Sequence, residues 1–279
     1  EHAKKIVDSF SDLAKKHDIK AAVKLQFRQL DTFIHNDFKK SNLKFVKRFN
    51  ETRLTKEEFK EIIDYTESKG LVSMATPFDN ESVPIISDMG FDIIKVASCS
   101  AKDWPLLEEV AAASRPVVVS TGGLEIKDID NLVSFFSHRG TQHALMHCVS
   151  IYPIPKEDFH LNYIDTLLER YKGCSIGWST HEDQNEIAPI QIAVAKGATM
   201  FERHVGYETN DIKLKFDGAN MDVFINSHLV ASQKNIIPHM NYDKIIVGEN
   251  NGIHGGIKDV YFNNYNKPIY KIENSDFTI

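Results

Sequence analysis

Apolar and polar positions follow two rhythms along this chain, and the switch between them recurs. Residues 2–16 place Ile6, Val7, Phe10, Leu13 and Ala14 on one helical face; 21–27 (AAVKLQF) then reads as a strand with Lys24 and Gln26 on a common side. Residues 31–53 are charged and poorly periodic, which predicts an excursion over the mouth of the fold. Residues 55–69 open on a capping box, Thr55 with Glu58, carry Phe59, Ile62 and Ile63 on one stripe, and stop at Gly70. Strands are then predicted at 71–78, 92–98, 116–122 and 143–149, alternating with helices at 80–89, 104–113, 126–137 and 161–171. The stretch 174–205 repeats the unit. A strand from Cys174 finishes at polar His181, a helix over 185–196 carries Ile187, Ile190, Ile192, Ala193 and Ala195, and a strand from 199 finishes at His204.

Strand–helix alternation with near-continuous apolar strands predicts a parallel sheet covered on both faces. The predicted fold class is therefore α/β, a (β/α)8 TIM barrel with seven strands visible and a first strand expected upstream of Glu1. KIIVG (244–248) is a further strand candidate. The predicted domains are a barrel over 1–225 and a C-terminal extension over 226–279, with a helix at 223–233 closing the barrel. A chain of 279 residues, 42% of them apolar, is well sized for one such barrel. A net charge of −6 argues against a nucleic-acid partner, and no apolar run approaches the roughly 18 residues of a membrane span. Cys99, Cys148 and Cys174 form no CxxC, so free thiols and a reducing, cytoplasmic location are expected.

Polar residues gather where the strands end. His181 and His204, at the carboxyl ends of neighbouring parallel strands, can converge on a divalent metal, or can be two unrelated polar strand ends. Lys24 and Lys95 interrupt apolar strands, and with hydroxyls at Thr76, Ser98, Ser120, Thr121, Ser150 and Ser179 they make an anion site. Each lysine could instead form a Schiff base or a salt bridge. Tyr152, in a loop stiffened by Pro153 and Pro155, suits a polyol hydroxyl or packing beneath the loop. His147, inside a strand, reads as a core histidine; His143 is given no role, and Trp178 is expected to pack outward.

The motifs AVKLQ (22–26), ATPFD (75–79), KVAS (95–98), PVVVSTGG (116–123), LMHCVSIYP (145–153), GWSTH (177–181) and GATMFERH (197–204) together resemble the N-acetylneuraminate (sialic acid) synthase family, in its order and near its spacing. The resemblance implies a transferase of carbohydrate biosynthesis. It would condense phosphoenolpyruvate with an N-acetylmannosamine-like sugar aldehyde to a sialic-acid-like nonulosonic acid, release phosphate, and use Mn²⁺ or another divalent metal. By position it makes His181 and His204 the metal ligands. Lys24, Thr76, Lys95, Ser98, Ser120, Ser150 and Ser179 become phosphoenolpyruvate contacts, Gln26, Tyr152 and Asp217 face the sugar, and Lys24, Lys95 and Tyr152 take catalytic roles.

The sequence also departs from the family pattern. Ser100 stands where a glutamate is usual, Ser150 stands where the family often has asparagine, and Asp217 is only the nearest candidate for the usual acidic residue. The family's antifreeze-like domain, through which members often dimerise, has no recognisable counterpart in 226–279, so a homodimer is only one expectation for the assembly. Two further readings stay open: a metal-dependent barrel aldolase, and a truncated or decayed barrel acting as a scaffold or regulatory partner.

Overall fold

The computed structural model describes residues 1–204, apart from 180 and 183–185, and the backbone of five strands beyond them. The chain divides into two compact units, Glu1–Val205 and Gly206–Ile279.

In the first unit, helix α1 (His2–His17) leads into strand β1 (Ala22–Phe27). The excursion that follows contains α2 (Leu30–Phe33) and α3 (Lys44–Glu51), short helices that the weak periodicity concealed, and then α4 (Lys56–Ser68). The capping box is present at α4: Glu58 N–H donates to Thr55 Oγ1 at 3.2 Å, and Thr55 N–H donates to Glu58 Oε2 at 2.7 Å. Strict alternation then runs β2 (Val72–Pro77), α5 (Ser82–Met89), β3 (Ile93–Val96), α6 (Trp104–Ala112), β4 (Val117–Ser120) and α7 (Ile126–His138). It continues through β5 (His143–Cys148), α8 (Tyr163–Arg170), β6 (Ser175–Ser179), α9 (Ala188–Ala195) and β7 (Met200–Glu202).

All seven strands lie parallel, in sequence order from β1 to β7. Parallel crossovers of one hand place helices α4 to α9 on the same side, and the sheet curls away from them. The curl is deep enough for Lys24 on β1 to reach Glu202 on β7. The two edge strands do not pair, however, so the closed eight-stranded ring expected from the sequence is an open half-barrel among the described residues.

Alternation along each strand separates two cores. The convex side packs Phe27, Ala75, Ile94, Val96, Val119, Leu145, Ile176 and Trp178 against the helices. The concave side carries a smaller plug of Met74, Val118, Ala144 and Met146, joined by Ile93 and Met200. Above that plug, toward the carboxyl ends, the concave side turns polar.

In the second unit, β8 (Ile212–Asp217), β9 (Asn220–Ile225) and β10 (His228–Gln233) form an antiparallel sheet. Strands β11 (Val260–Asn264) and β12 (Lys267–Ile272) pair beside each other as a hairpin. The helix expected at 223–233 is corrected to two paired strands. Val223, Phe224, Ile225 and Val230 are β-branched or aromatic, and cross-strand pairing favours them over a helix. The 225/226 division read from the sequence falls between β9 and β10, whereas the compact units divide at 205/206. The strand candidate at 244–248 lies outside the described residues. Among the described residues, no helix is long and apolar enough to cross a membrane.

Candidate active site

Strand register builds the polar layer. Gln26 pairs with Thr76, Cys148 with Ser179, and Ser179 with Glu202, so side chains from the two sheet edges and the middle share one concave level. Lys95 is only 2% exposed. Its Nζ donates to Ser120 Oγ at 2.5 Å and lies 3.5 Å from Glu202 Oε2. Lys24 Nζ approaches the other oxygen, Glu202 Oε1, at 3.0 Å. Burial pulls the Lys95 ammonium below the ordinary lysine range, with Glu202 pulling back. Burial alone would raise the Glu202 carboxyl, but Lys95 and Lys24 outweigh it and hold the group below the usual carboxylate range. Two cations around one carboxylate leave a positive surplus in a water-poor cleft, which suits a bound anion.

Hydroxyls surround that surplus. Thr76 is buried and its Oγ1 makes no hydrogen bond, leaving a donor for a ligand. Ser98 Oγ accepts from Gly122 N–H at 3.1 Å. A Cβ on Gly122 would stand 2.5 Å from Ser150 Oγ and 2.9 Å from Ser98 Oγ, so glycine is what lets both hydroxyls close on this backbone. Ser179 is buried beside Cys148, whose thiol burial pushes up while Ser98, Lys95 and Ser179 pull it down. Thr121 is the exception: its hydroxyl donates to the Met146 carbonyl and ties strands together.

The imidazoles stand at the same end. The His181 and His204 rings lie 5.6 Å apart and nearly perpendicular. His181 Nδ1 sits 2.8 Å from the Val149 carbonyl, which can only accept, so the proton is on Nδ1 and the lone pair on Nε2. Tyr152 stacks on His181 with ring centroids 3.7 Å apart, and its hydroxyl donates to that Nε2. Burial holds both imidazoles below the ordinary histidine range and pushes the Tyr152 phenol up to about 12. Neutral imidazole with an oriented lone pair is the form a metal takes, so the donor set fits a divalent ion. Among the described residues no third His, Cys, Asp or Glu joins the pair.

Of the other residues singled out in the sequence, Gln26 is exposed at the mouth, its Oε1 accepting from Arg28 at 2.9 Å. Asp217 ends β8 in the second unit, and its side chain lies outside the described residues. His147 is a core histidine, bonded to the Phe159 carbonyl at 3.0 Å and lying 4.9 Å from the fully buried Trp178 ring. Trp178 does pack outward, on the helix side. Sequence reading missed Glu202 and Arg28. Each lies two residues from a residue already singled out, His204 and Gln26, and the two-residue period of a strand could have found both.

The sequence profile described as the NeuB family matches residues 12–228. A Chromobacterium violaceum protein provisionally named spore coat polysaccharide biosynthesis protein E has a solved structure that is 47% identical, with TM-score 0.72, covering 75% of this chain and 62% of that one. The N-acetylneuraminic acid synthetase of Leptospira borgpetersenii, solved with citrate, is 30% identical with TM-score 0.64, covering 73% and 67%. The N,N'-diacetyllegionaminic acid synthase of Campylobacter jejuni is 27% identical over 221 residues, covering 75% of this chain and 64% of that protein. The chain spans less than two thirds of the length of the first curated relatives it matches.

Proposed function

The chain belongs to the NeuB family, and on that footing we propose that it condenses phosphoenolpyruvate with an N-acetylated sugar aldehyde, releasing phosphate and forming a nonulosonic acid. One observation carries the reading. A cation-rich cradle, Lys24–Glu202–Lys95 with Ser120, stands at the same strand ends as a pair of neutral imidazoles flanked by a tyrosine. An anionic nucleophile and a polarised aldehyde need that juxtaposition. The related synthases name different products, N-acetylneuraminic and diacetyllegionaminic acids, so the product class is proposed rather than one sugar.

Phosphoenolpyruvate takes the cradle, with Lys24 and Lys95 as counter-charges and Thr76, Ser98, Ser120, Ser150 and Ser179 as donors. Gln26 and Tyr152 receive the sugar. His181 and His204 would hold Mn²⁺ or a similar ion, which supplies Lewis-acid polarisation of the aldehyde oxygen when bound. C3 of phosphoenolpyruvate attacks the aldehyde carbon, water adds at C2, and phosphate leaves from the lysine cradle, which stabilises its charge. The curled sheet is read as seven strands of an eight-stranded ring. Ser100, buried where the family usually has a carboxylate, favours the rival reading of a decayed barrel with a scaffold role. Within the proposed chemistry, Glu202 is the carboxylate at hand.

The test is Mn²⁺-dependent phosphate release from phosphoenolpyruvate across a panel of sugar aldehydes, beside a His181→Ala, His204→Ala double variant. Release with one aldehyde, lost in the variant, supports the synthase. A protein that binds Mn²⁺ and phosphoenolpyruvate yet turns over no aldehyde supports the scaffold.

A further inference from the structure

At the amino ends of the strands, opposite the cradle, a thiol meets an imidazole. His143 opens β5, and Cys174 stands one residue before β6. The register pairs Ala144 with Ser175, so the two residues lie side by side across parallel strands. Cys174 Sγ is 3.4 Å from His143 Nε2. His143 Nδ1 is 2.9 Å from the Thr141 carbonyl, which can only accept, so the ring proton is on Nδ1 and Nε2 accepts from the thiol. The Phe136 ring, its centroid 5.8 Å away and tilted by 33°, packs against the imidazole. A nucleophile, a base and a group that orients the base thus stand in line.

The other two thiols are placed differently. Cys99 is exposed, with its Sγ 3.9 Å from Ser100 Oγ. Cys148 is buried in the cradle beside Ser98 and Ser179. Among the described residues, the thiol hydrogen-bonded to an imidazole is that of Cys174. It is half-buried, so a small reagent can reach it. Burial also raises its pKa and keeps it a thiol rather than a thiolate. The thiolate is the nucleophile in disulfide exchange, so such a group is sluggish unless a base removes its proton as the sulfur attacks. His143 Nε2 stands where that base is needed.

We propose that Cys174 and His143 form a modification site, at which Cys174 exchanges with a small-molecule disulfide and His143 serves as its base. Cys174 Sγ attacks one sulfur of the disulfide while its proton passes to Nε2. The S–S bond of the reagent breaks, and the departing thiolate takes that proton and leaves as a thiol. Cys174 is oxidised to a mixed disulfide, and the other half of the reagent is reduced. Both residues stand at the strand ends opposite the cradle and the imidazole pair, so this assignment is independent of the synthase reading.

The full chain is incubated with oxidised glutathione, and mixed-disulfide formation at each cysteine is followed in time by peptide mass mapping. Cys174 should be modified, and faster than the buried Cys148. His143→Gln keeps an acceptor for the thiol but cannot take its proton. It should slow Cys174 by about 10- to 100-fold, while the rate at exposed Cys99, which reports on the reagent and on folding, stays as it was. A hydrogen bond with a purely structural role would be satisfied by glutamine and leave the Cys174 rate unchanged, which would overturn the assignment. So would a wild type in which Cys99 reacts and Cys174 does not.

Discussion

The convex and concave sides of the same strands differ in what alternate residues are asked to do. On the convex side Phe27, Ala75, Ile94, Val119, Leu145 and Trp178 are buried against helices, one from each of six strands. Their neighbours one residue away, on the concave side, include Gln26, Thr76, Lys95, Ser120 and Ser179. A shift of one residue thus turns a core position into a ligand position. Stability is carried mainly by the first set and charge by the second, above a thin plug of Met74, Val118, Ala144 and Met146. Chemistry can vary on the concave rim without disturbing the packing that holds the strands.

Substitutions should separate the two sides. Trp178→Ala, on the convex side, removes a fully buried ring and should cost about 3–5 kcal/mol, read as a large fall in Tm. An unchanged Tm would erase the distinction. Lys95→Met, on the concave side, should lower kcat/KM for phosphoenolpyruvate by about 10²–10³-fold while leaving Tm nearly where it was. Because folding lowers the Lys95 pKa, the wild type should gain stability relative to Lys95→Met as pH rises toward the ordinary lysine value of 10.5. A gain on lowering the pH would reverse the sign and refute the burial account. Gly122→Ala, whose Cβ would meet Ser150 Oγ at 2.5 Å, should raise KM for phosphoenolpyruvate roughly tenfold by pushing the hydroxyls apart. The smallest effect is expected from Thr55→Ala. Loss of the α4 cap should cost about 1 kcal/mol in chemical denaturation with KM unaltered, and a KM change would show that the faces are coupled.

Much of this was legible in the sequence because strand and helix periods differ sharply. The alternation from 71 to 149, the Thr55–Glu58 box and the polar strand ends all follow from side-chain pattern alone. Glu202 lies inside the strand expected from 199, two residues before His204, but the sequence alone does not show which face of that strand lines the site; the register beside Ser179 does. Residues 223–233 misled because a short apolar run satisfies either period until its pairing partner is known. Arg28 repeats the two-residue step from Gln26 but falls just past the end of β1, and its partners Phe49 and Phe78 lie far along the chain.

The strand order has a consequence for how the molecule is made. Each strand of the first unit bonds only to its neighbours in sequence, so the sheet can be laid down in the order of synthesis, one strand–helix unit at a time. The contact between Lys24 and Glu202 breaks that order, for it joins the first strand to the seventh. Until β7 emerges from the ribosome, the two lysines have no shared carboxylate. The anion site is therefore among the last features to be assembled, and a nascent chain can be well packed on its helix side before it is able to hold a substrate.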